Sequence, residues 1–240
     1  LFTIDEIGGD ANAPTDLSSV IDTDGDGLID SLDTDDDNDS LLTISEVGGD
    51  VNVPTDLSSL TDSDSDGLLN HLDVDDDNDS LFTISEIGGD VNAPTDLTSL
   101  TDTDGDGLTN HLDIDDDNDS LFTISEIGGD VNVPTDLTSL TDTDSDGVSD
   151  HLDVDDDNDS IYTILEVGGD NTTPTDLSSV PDTDSDSSPN HLDTDDDNDS
   201  IFTINEIGGD VNNPYDTQSK YDAIVDTDGD TVFNHLDVDD

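Results

Sequence analysis

The chain has no cysteine, a single basic residue among its 240, and few aromatic side chains. Without cysteine there is no disulfide framework and no thiolate metal or redox site. Lys220 stands alone against 68 acidic residues, so the net charge of −67 is almost wholly unpaired. Self-repulsion on that scale expands a metal-free chain, and DNA and anionic membranes repel it. Apolar residues make up 28% and aromatic residues 3% of the sequence, too little to offset roughly 1–2 kcal/mol per residue of backbone ordering entropy. No apolar run approaches the roughly 18–20 residues of a membrane span, and no signal peptide opens the sequence. Neither nucleic-acid binding nor membrane insertion is expected. These absences describe a disordered chain unless something other than an oily core staples it.

What the sequence does have is strict periodicity, the mark of a repeat architecture. Aligned on a recurring GGD, units begin at Leu1, Leu41, Leu81, Leu121, Ile161 and Ile201, giving repeats 1–40, 41–80, 81–120, 121–160, 161–200 and 201–240. The sixth carries a four-residue insertion around Lys220–Ala223 and stops short of the DNDS stretch that closes every earlier unit. The expectation is a window from a longer array. Each unit has an apolar patch with a double glycine, a Pro/Ser/Thr linker and a long acidic stretch. Thr43-Ile44-Ser45-Glu46 has the spacing of a helix capping box, and Gly48 should end that helix after about one turn. Apolar periods of 3.6 or two residues never run far, so long helices and long strands are not expected.

The acidic stretches carry the chemistry. Calcium takes six to eight oxygen ligands, and a 12-residue loop supplies them from positions 1, 3, 5, 9 and 12 with a main-chain carbonyl at 7. Asp22, Asp24, Asp26, Asp30 and Asp33 fill those positions, with Leu28 offering its carbonyl and Gly27 at the tight-turn position 6. The frame recurs as Asp62, Asp64, Asp66, Leu68, Asn70 and Asp73, and as Asp102, Asp104, Asp106, Leu108, Asn110 and Asp113. It recurs again as Asp142, Asp144, Asp146, Val148, Asp150 and Asp153, then as Asp182, Asp184, Asp186, Ser188, Asn190 and Asp193. The sixth copy is Asp226, Asp228, Asp230, Val232, Asn234 and Asp237. Asparagine at position 9 still offers an amide oxygen. Ser187 and Thr231 occupy the glycine position of the last two copies, and Pro189 sits at position 8, so weaker binding is expected there.

A second loop starts two residues after each first one ends: Asp35, Asp37, Asp39, the Leu41 carbonyl, Thr43 and Glu46, with Ser40 in place of the turn glycine. Its copies are Asp75, Asp77, Asp79, Leu81, Thr83 and Glu86, and Asp115, Asp117, Asp119, Leu121, Thr123 and Glu126. Two more follow, as Asp155, Asp157, Asp159, Ile161, Thr163 and Glu166, and as Asp195, Asp197, Asp199, Ile201, Thr203 and Glu206. All six glutamates of the chain, counting Glu6, fall at position 12 of this second loop, where a longer carboxylate reaches an ion with both oxygens. Acids serving only to solvate the chain would mix Asp and Glu freely. Complete frames number eleven, about two Ca2+ per repeat, with an orphan tail (Leu1, Thr3, Glu6) and an orphan start (Asp239). Eleven divalent ions bring the charge from −67 to about −45, so further cations or strong surface hydration are expected. Asp50 and Asn52, after a double glycine, are a candidate third site.

The run Asp22-Thr23-Asp24-Gly25-Asp26-Gly27, its recurrence and the overlap of one acidic loop with the next resemble thrombospondin type 3 repeats, especially cysteine-free bacterial ones. The resemblance covers the acidic half of every unit and leaves out the GGD and linker segments. It implies chain wrapped around a row of calcium ions, with little regular secondary structure, in secreted or surface proteins. The missing cysteines depart from the animal pattern and its disulfide bracing. Dockerin-type loops are similar in ligand spacing but come as one pair with real helices.

Other recurring residues admit a plain and a functional reading. Phe2, Leu42, Phe82, Phe122, Tyr162 and Phe202, at position 8 of the second loop, are expected to be small apolar plugs, the alternative being a ligand-stacking platform. His71, His111, His151, His191 and His235, at position 10 of the first loop, are expected to point outward, against a transition-metal role. Asn38, Asn78, Asn118, Asn158 and Asn198 open N-D-S sequons and Asn171 opens N-T-T, so covalent glycans are weighed against mere loop position 4. The linkers, such as Pro54–Ser59, are candidates for O-linked sugar.

The expected fold is an irregular calcium-stabilised tandem-repeat rod, solenoid-like, with EF-hand-like loops that lack long flanking helices; coil and turns dominate, with single helical turns and short β-bridges. Metal binding and folding should be one event. Modules that bind at about 10⁻⁴–10⁻³ M work outside the cell, so the expected function is an extracellular or cell-surface structural protein, self-associating as a filament or fibre. The alternative is a calcium-rigidified spacer or stalk within a large adhesin or secreted enzyme. Catalysis by these residues is not expected, because no Ser/His/Asp or Cys/His set and no unrepeated pocket is evident.

Overall fold

The computed structural model describes residues 20–49, 60–94, 100–134, 140–169 and 179–238. Leu1, Phe2, Thr3, Glu6, Asp50, Asn52, the 54–59 linker, Asn171 and Asp239 lie outside them.

Turns and irregular chain dominate. Six four-residue helices occur among the described residues: α1 (Thr43–Glu46), α2 (Thr83–Glu86), α3 (Thr123–Glu126), α4 (Thr163–Glu166), α5 (Thr203–Glu206) and α6 (Gln218–Tyr221). Single 3-10 turns sit at Asp30–Leu32, Asn70–Leu72, Asn110–Leu112, Asp150–Leu152, Asn190–Leu192 and Asn234–Leu236, and no strand is present among these residues. The 40-residue period is thus visible in the structure. A parallel bridge joins Ile161 to Tyr215.

Helices α1 to α5 end where the glycine signal places the stop. In α1, Gly48 is left-handed (φ 59°) and the Gly49 N–H donates to the Ile44 carbonyl at 2.8 Å, a left-handed cap that costs glycine nothing sterically. The start differs from the expectation. Leu42 is the N-cap and no side chain caps the helix, because the Thr43 hydroxyl accepts the Asp36 N–H at 3.1 Å instead. The capping box does not form, and Thr43 is spent on bracing the loop.

Two compact units are distinguished, residues 1–114 with 129–137, and residues 115–128 with 138–240. In the first, α1 packs on the turn Asn70–Leu72 and α2 on Asn110–Leu112. The same pairing recurs in the second unit, with α3 on Asp150–Leu152, α4 on Asn190–Leu192 and α5 on Asn234–Leu236. Each helix therefore meets the first-loop turn of its own repeat, where the next first loop ends. Repeats two apart are joined where the Asp90 N–H donates to Ser40 Oγ and the Asp130 N–H to Ser80 Oγ, both at 2.7 Å. Those serines stand at the turn position with φ of 80° and 82°. The left-handed backbone costs a serine on the order of 1 kcal/mol, and the hydroxyl that glycine would lack gains the inter-repeat hydrogen bond.

Hydrophobic burial is sparse and local. Leu41, Leu81, Leu121 and Ile161 are fully buried. The insertion in repeat six builds the one apolar cluster of any size among the described residues: Ile161, Ile207 and Ile224, packed by Leu165, Tyr215, Tyr221 and Phe233. Helix α6 belongs to this insertion and supplies Tyr221, whose ring meets Phe233 edge-on at 5.6 Å. No helix among the described residues is long and apolar enough to cross a membrane.

Candidate metal centres

Both loop types are built on one backbone frame. In each, the N–H of position 9 donates to the carbonyl just before position 1: Asp30 to Ile21 at 3.2 Å in the first loop, Thr43 to Thr34 at 3.0 Å in the second. Within that closure, side chains hold backbone two residues on. Asp24 accepts from the Asp26 N–H and Asp26 from the Leu28 N–H, at 3.0 and 2.7 Å. Asp37 and Asp39 repeat the pattern with the Asp39 and Leu41 N–H groups, at 3.0 and 2.6 Å. One oxygen of each carboxylate is thereby committed to shaping the turn. Positions 4 and 6 are left-handed in both frames, Gly25 and Gly27 at φ 76° and 103°, Asn38 and Ser40 at 62° and 80°.

The frames bring together the carboxylates that the sequence singles out. Asp22, Asp24 and Asp26 present oxygens within 4.8 Å of one another, as do Asp62, Asp64 and Asp66, and the second-loop sets Asp35, Asp37, Asp39 and Asp75, Asp77, Asp79. These groups could hold a metal ion. Position 9 plays a bracing part: Asp30 accepts from the Thr23 N–H and hydroxyl, both at 3.0 Å, and Asn70 Oδ1 accepts from the Ser63 N–H at 3.0 Å.

The two loop types differ in burial. At position 7, Leu28 of a first loop is 49% exposed while Leu41 of a second loop is 0% exposed. In the second loop, Asp37 Oδ2, Asp39 Oδ2 and both Glu46 oxygens are shielded from solvent with no hydrogen-bond partner. Burial, reinforced by the Asp39 and Glu46 charges, pushes the Asp37 carboxyl up to about 10. Burial, with Asp39 and Asp76 nearby, raises Glu46 to about 10 as well. Asp39 rises to about 7 through burial, held back by the Leu41 N–H. Unpaired anions so placed are unstable without a cation, and the lone cation of the chain is elsewhere: Lys220 pairs with Asp216 at 2.8 Å. Clustered hard oxygen donors of this kind fit a hard divalent cation.

A set of residues absent from the twelve-residue frame also enters these centres. Position 2 of the second loop, held by Asp36, Asp76, Asp116, Asp156 and Asp196, is buried in every described copy at 2–3% exposure. Asp76 lies within 4.8 Å of Asp39 and Glu46 of the preceding second loop. Burial and the charges of Asp39 and Asp37 push it up to about 9. Asp156 rises to about 11 through burial and the Asp119 and Asp117 charges. The signal was present in the sequence: the second residue of each DDDND run is always Asp, whereas position 2 of every first loop is Thr or Ser.

The remaining candidates divide. The five position-10 histidines do not point outward: each is 0–3% exposed. Their 3-10 turns pack on helices α1 to α5, each within its own repeat, and burial lowers their pKa to about 4, keeping them neutral. Position 8 is half-buried at Leu42, Phe82, Phe122 and Tyr162, but Phe202 is 56% exposed and plugs nothing. The sequon residues Asn38, Asn78, Asn158 and Asn198 donate their side-chain N–H to Asp24, Asp64, Asp144 and Asp184 of the same repeat's first loop. The nitrogen a glycan would occupy therefore already ties the two loops together. The described equivalents of Asp50 and Asn52 face solvent, and Asp90 accepts both the backbone and side-chain N–H of Asn92 at 2.9 Å. An unrepeated pocket does exist, contrary to expectation: a cavity of about 300 Å³ lined by residues of the sixth repeat, among them Gly208, Tyr215 and Lys220.

No family model matches the chain, and no curated protein matches it.

Proposed function

We propose that this chain is a calcium-binding structural repeat protein of the extracellular space or cell surface, whose folding is coupled to Ca2+ and which assembles as a filament or fibre. The observation that carries the reading is the burial of second-loop carboxylate oxygens that have no hydrogen-bond partner, those of Glu46 and Glu166. A soluble chain keeps such groups inside only if an ion arrives with them. The oxygen-only donor set and loops of 12-residue spacing favour calcium over softer metals. Extracellular modules of this ligand type bind at about 10⁻⁴–10⁻³ M, which suits a compartment rich in calcium. Hydrogen bonds from the Asp90 N–H to Ser40 and from the Asp130 N–H to Ser80 link separate repeats, as a tandem array needs. The resemblance to thrombospondin type 3 repeats points the same way.

Equilibrium dialysis tests the reading: about two or more Ca2+ should bind per repeat at millimolar calcium, with magnesium a poor substitute because it demands a tighter octahedron. Binding of one or two ions per chain would overturn it. Electron microscopy of the calcium-loaded protein then separates regular fibres with lateral contacts from isolated flexible stalks, the latter favouring a spacer within a larger protein.

A further inference from the structure

We infer that the second-loop cation is held between successive second loops, with Asp39 and Glu46 supplied by one loop and Asp76 by the next, so that each such ion is a clasp between neighbouring loops. The inference rests on the calcium reading and adds to it the identity of a ligand that the twelve-residue frame assigns no part.

Three observations converge on this junction. First, the Asp39, Glu46 and Asp76 oxygens lie within 4.8 Å of one another although Asp76 is 37 residues from Asp39. Second, the incoming aspartate is almost completely enclosed and lacks partners: Asp156 is 2% exposed and neither of its carboxylate oxygens makes a hydrogen bond, and the same holds for Asp196. A buried carboxylate with both oxygens orphaned and other carboxylates beside it is stabilised as an anion only by a cation. Third, the junction has room: Glu126, Asp150, Asp156 and His191 are among the residues lining a small cavity of about 80 Å³, larger than the roughly 30 Å³ that one water occupies in the liquid. The backbone of position 2 is fixed by its N–H, which donates to the threonine hydroxyl at position 9 of its own loop, Asp156 to Thr163 at 3.3 Å. Its side chain is thereby free to reach the preceding second loop while its own loop stays closed.

The consequence is nearest-neighbour coupling. An ion bound at one junction orders the loop on either side of it, and that ordering presents the next junction's ligands, so binding should propagate along the array.

The test uses the whole chain and calcium alone. A loop whose ligands are all local predicts that Asp156→Asn, which keeps the size and changes a residue outside positions 1, 3, 5, 7, 9 and 12, leaves the binding isotherm unchanged. The clasp predicts that one site weakens by about 10–100-fold, with a smaller slope to the binding curve. A double-mutant cycle guards against simple misfolding. Glu126→Gln with Asp156→Asn should be non-additive, because both act on one ion. Glu126→Gln with Asp76→Asn, at separate junctions, should be additive. An unchanged isotherm for Asp156→Asn, or additivity of Glu126→Gln with Asp156→Asn, overturns the clasp and leaves the calcium reading standing. Failure of the unaltered chain to bind calcium at all would overturn the calcium reading itself.

Discussion

Asp157→Asn should change the stability of this protein in opposite directions with and without metal. Asp157 is 3% exposed; one oxygen accepts the Asp159 N–H at 3.1 Å and the other, Oδ2, has no hydrogen bond. Burial, then the Asp159 charge, pushes its carboxyl from 3.8 to about 10. At pH 7 the metal-free fold must therefore hold a proton that the unfolded chain has released. Protonating an ordinary carboxyl some three pH units above its pKa costs about 4 kcal/mol. Asparagine keeps the acceptor for Asp159 and removes that cost, so the metal-free fold gains up to about 4 kcal/mol. In the loaded protein the same change deletes an anionic ligand and weakens calcium by about 10–100-fold. Folding driven by trimethylamine oxide in EDTA, followed by circular dichroism, reads the first effect, since the osmolyte favours burial without metal. A calcium titration reads the second. The variant should fold at lower osmolyte and need more calcium. A shift in the same sense in both assays, or none in either, would refute the reasoning.

Calcium binding should release protons near neutral pH. Burial raises Asp35 to about 6, Asp39 to about 7 and Asp159 to about 8. Because these values lie above the unfolded 3.8, their contribution to the metal-free fold is fully present below about pH 4 and is lost as pH rises through 6 to 8. Calorimetry at pH 7 in buffers of different ionisation enthalpy should show net proton release, and a buffer-independent heat would contradict it. Gly169→Ala should loosen the contact between repeats, because a Cβ there would meet Ser120 Cβ and Oγ at 2.3 Å. Overpacking of about 1–3 kcal/mol should lower the urea midpoint in saturating calcium, and an unchanged midpoint would mean that this contact is absent. Thr231→Gly should strengthen the sixth first loop by about 1 kcal/mol, since a β-branched residue sits there at φ 88° where the first four repeats place glycine. A lower calcium affinity in that variant would count against the strain argument.

Much of the metal framework could be read from spacing alone, because a loop held by side chains two residues apart leaves its period in the sequence. Asp24, Asp26, Asp37 and Asp39 meet as their intervals demand, and the single turn at Thr43–Glu46 stops at Gly48. Three things were hidden. The Asp76-type residues were missed because a single-loop frame gives position 2 no task, and only the contact with a neighbouring second loop supplies one. The histidines were misplaced because position 10 faces outward in an isolated loop, whereas here His71 and its copies are buried, on turns that pack against a helix. The insertion around Lys220 read as an interruption, yet it supplies the Tyr221 side of the Ile161–Ile224 cluster, apolar packing that no linker composition announces.

Small-angle scattering of the same sample, first in millimolar calcium and then in excess EDTA at pH 7 and constant ionic strength, addresses most directly whether cations stand in for a hydrophobic core. An ordered particle should give way on chelation to an expanded chain of about 54 Å in radius of gyration, since an unfolded chain follows roughly 2.0·N^0.6 Å, and should return when calcium is restored. A scattering profile unaltered by EDTA would show that the buried carboxylates are stabilised by something other than metal.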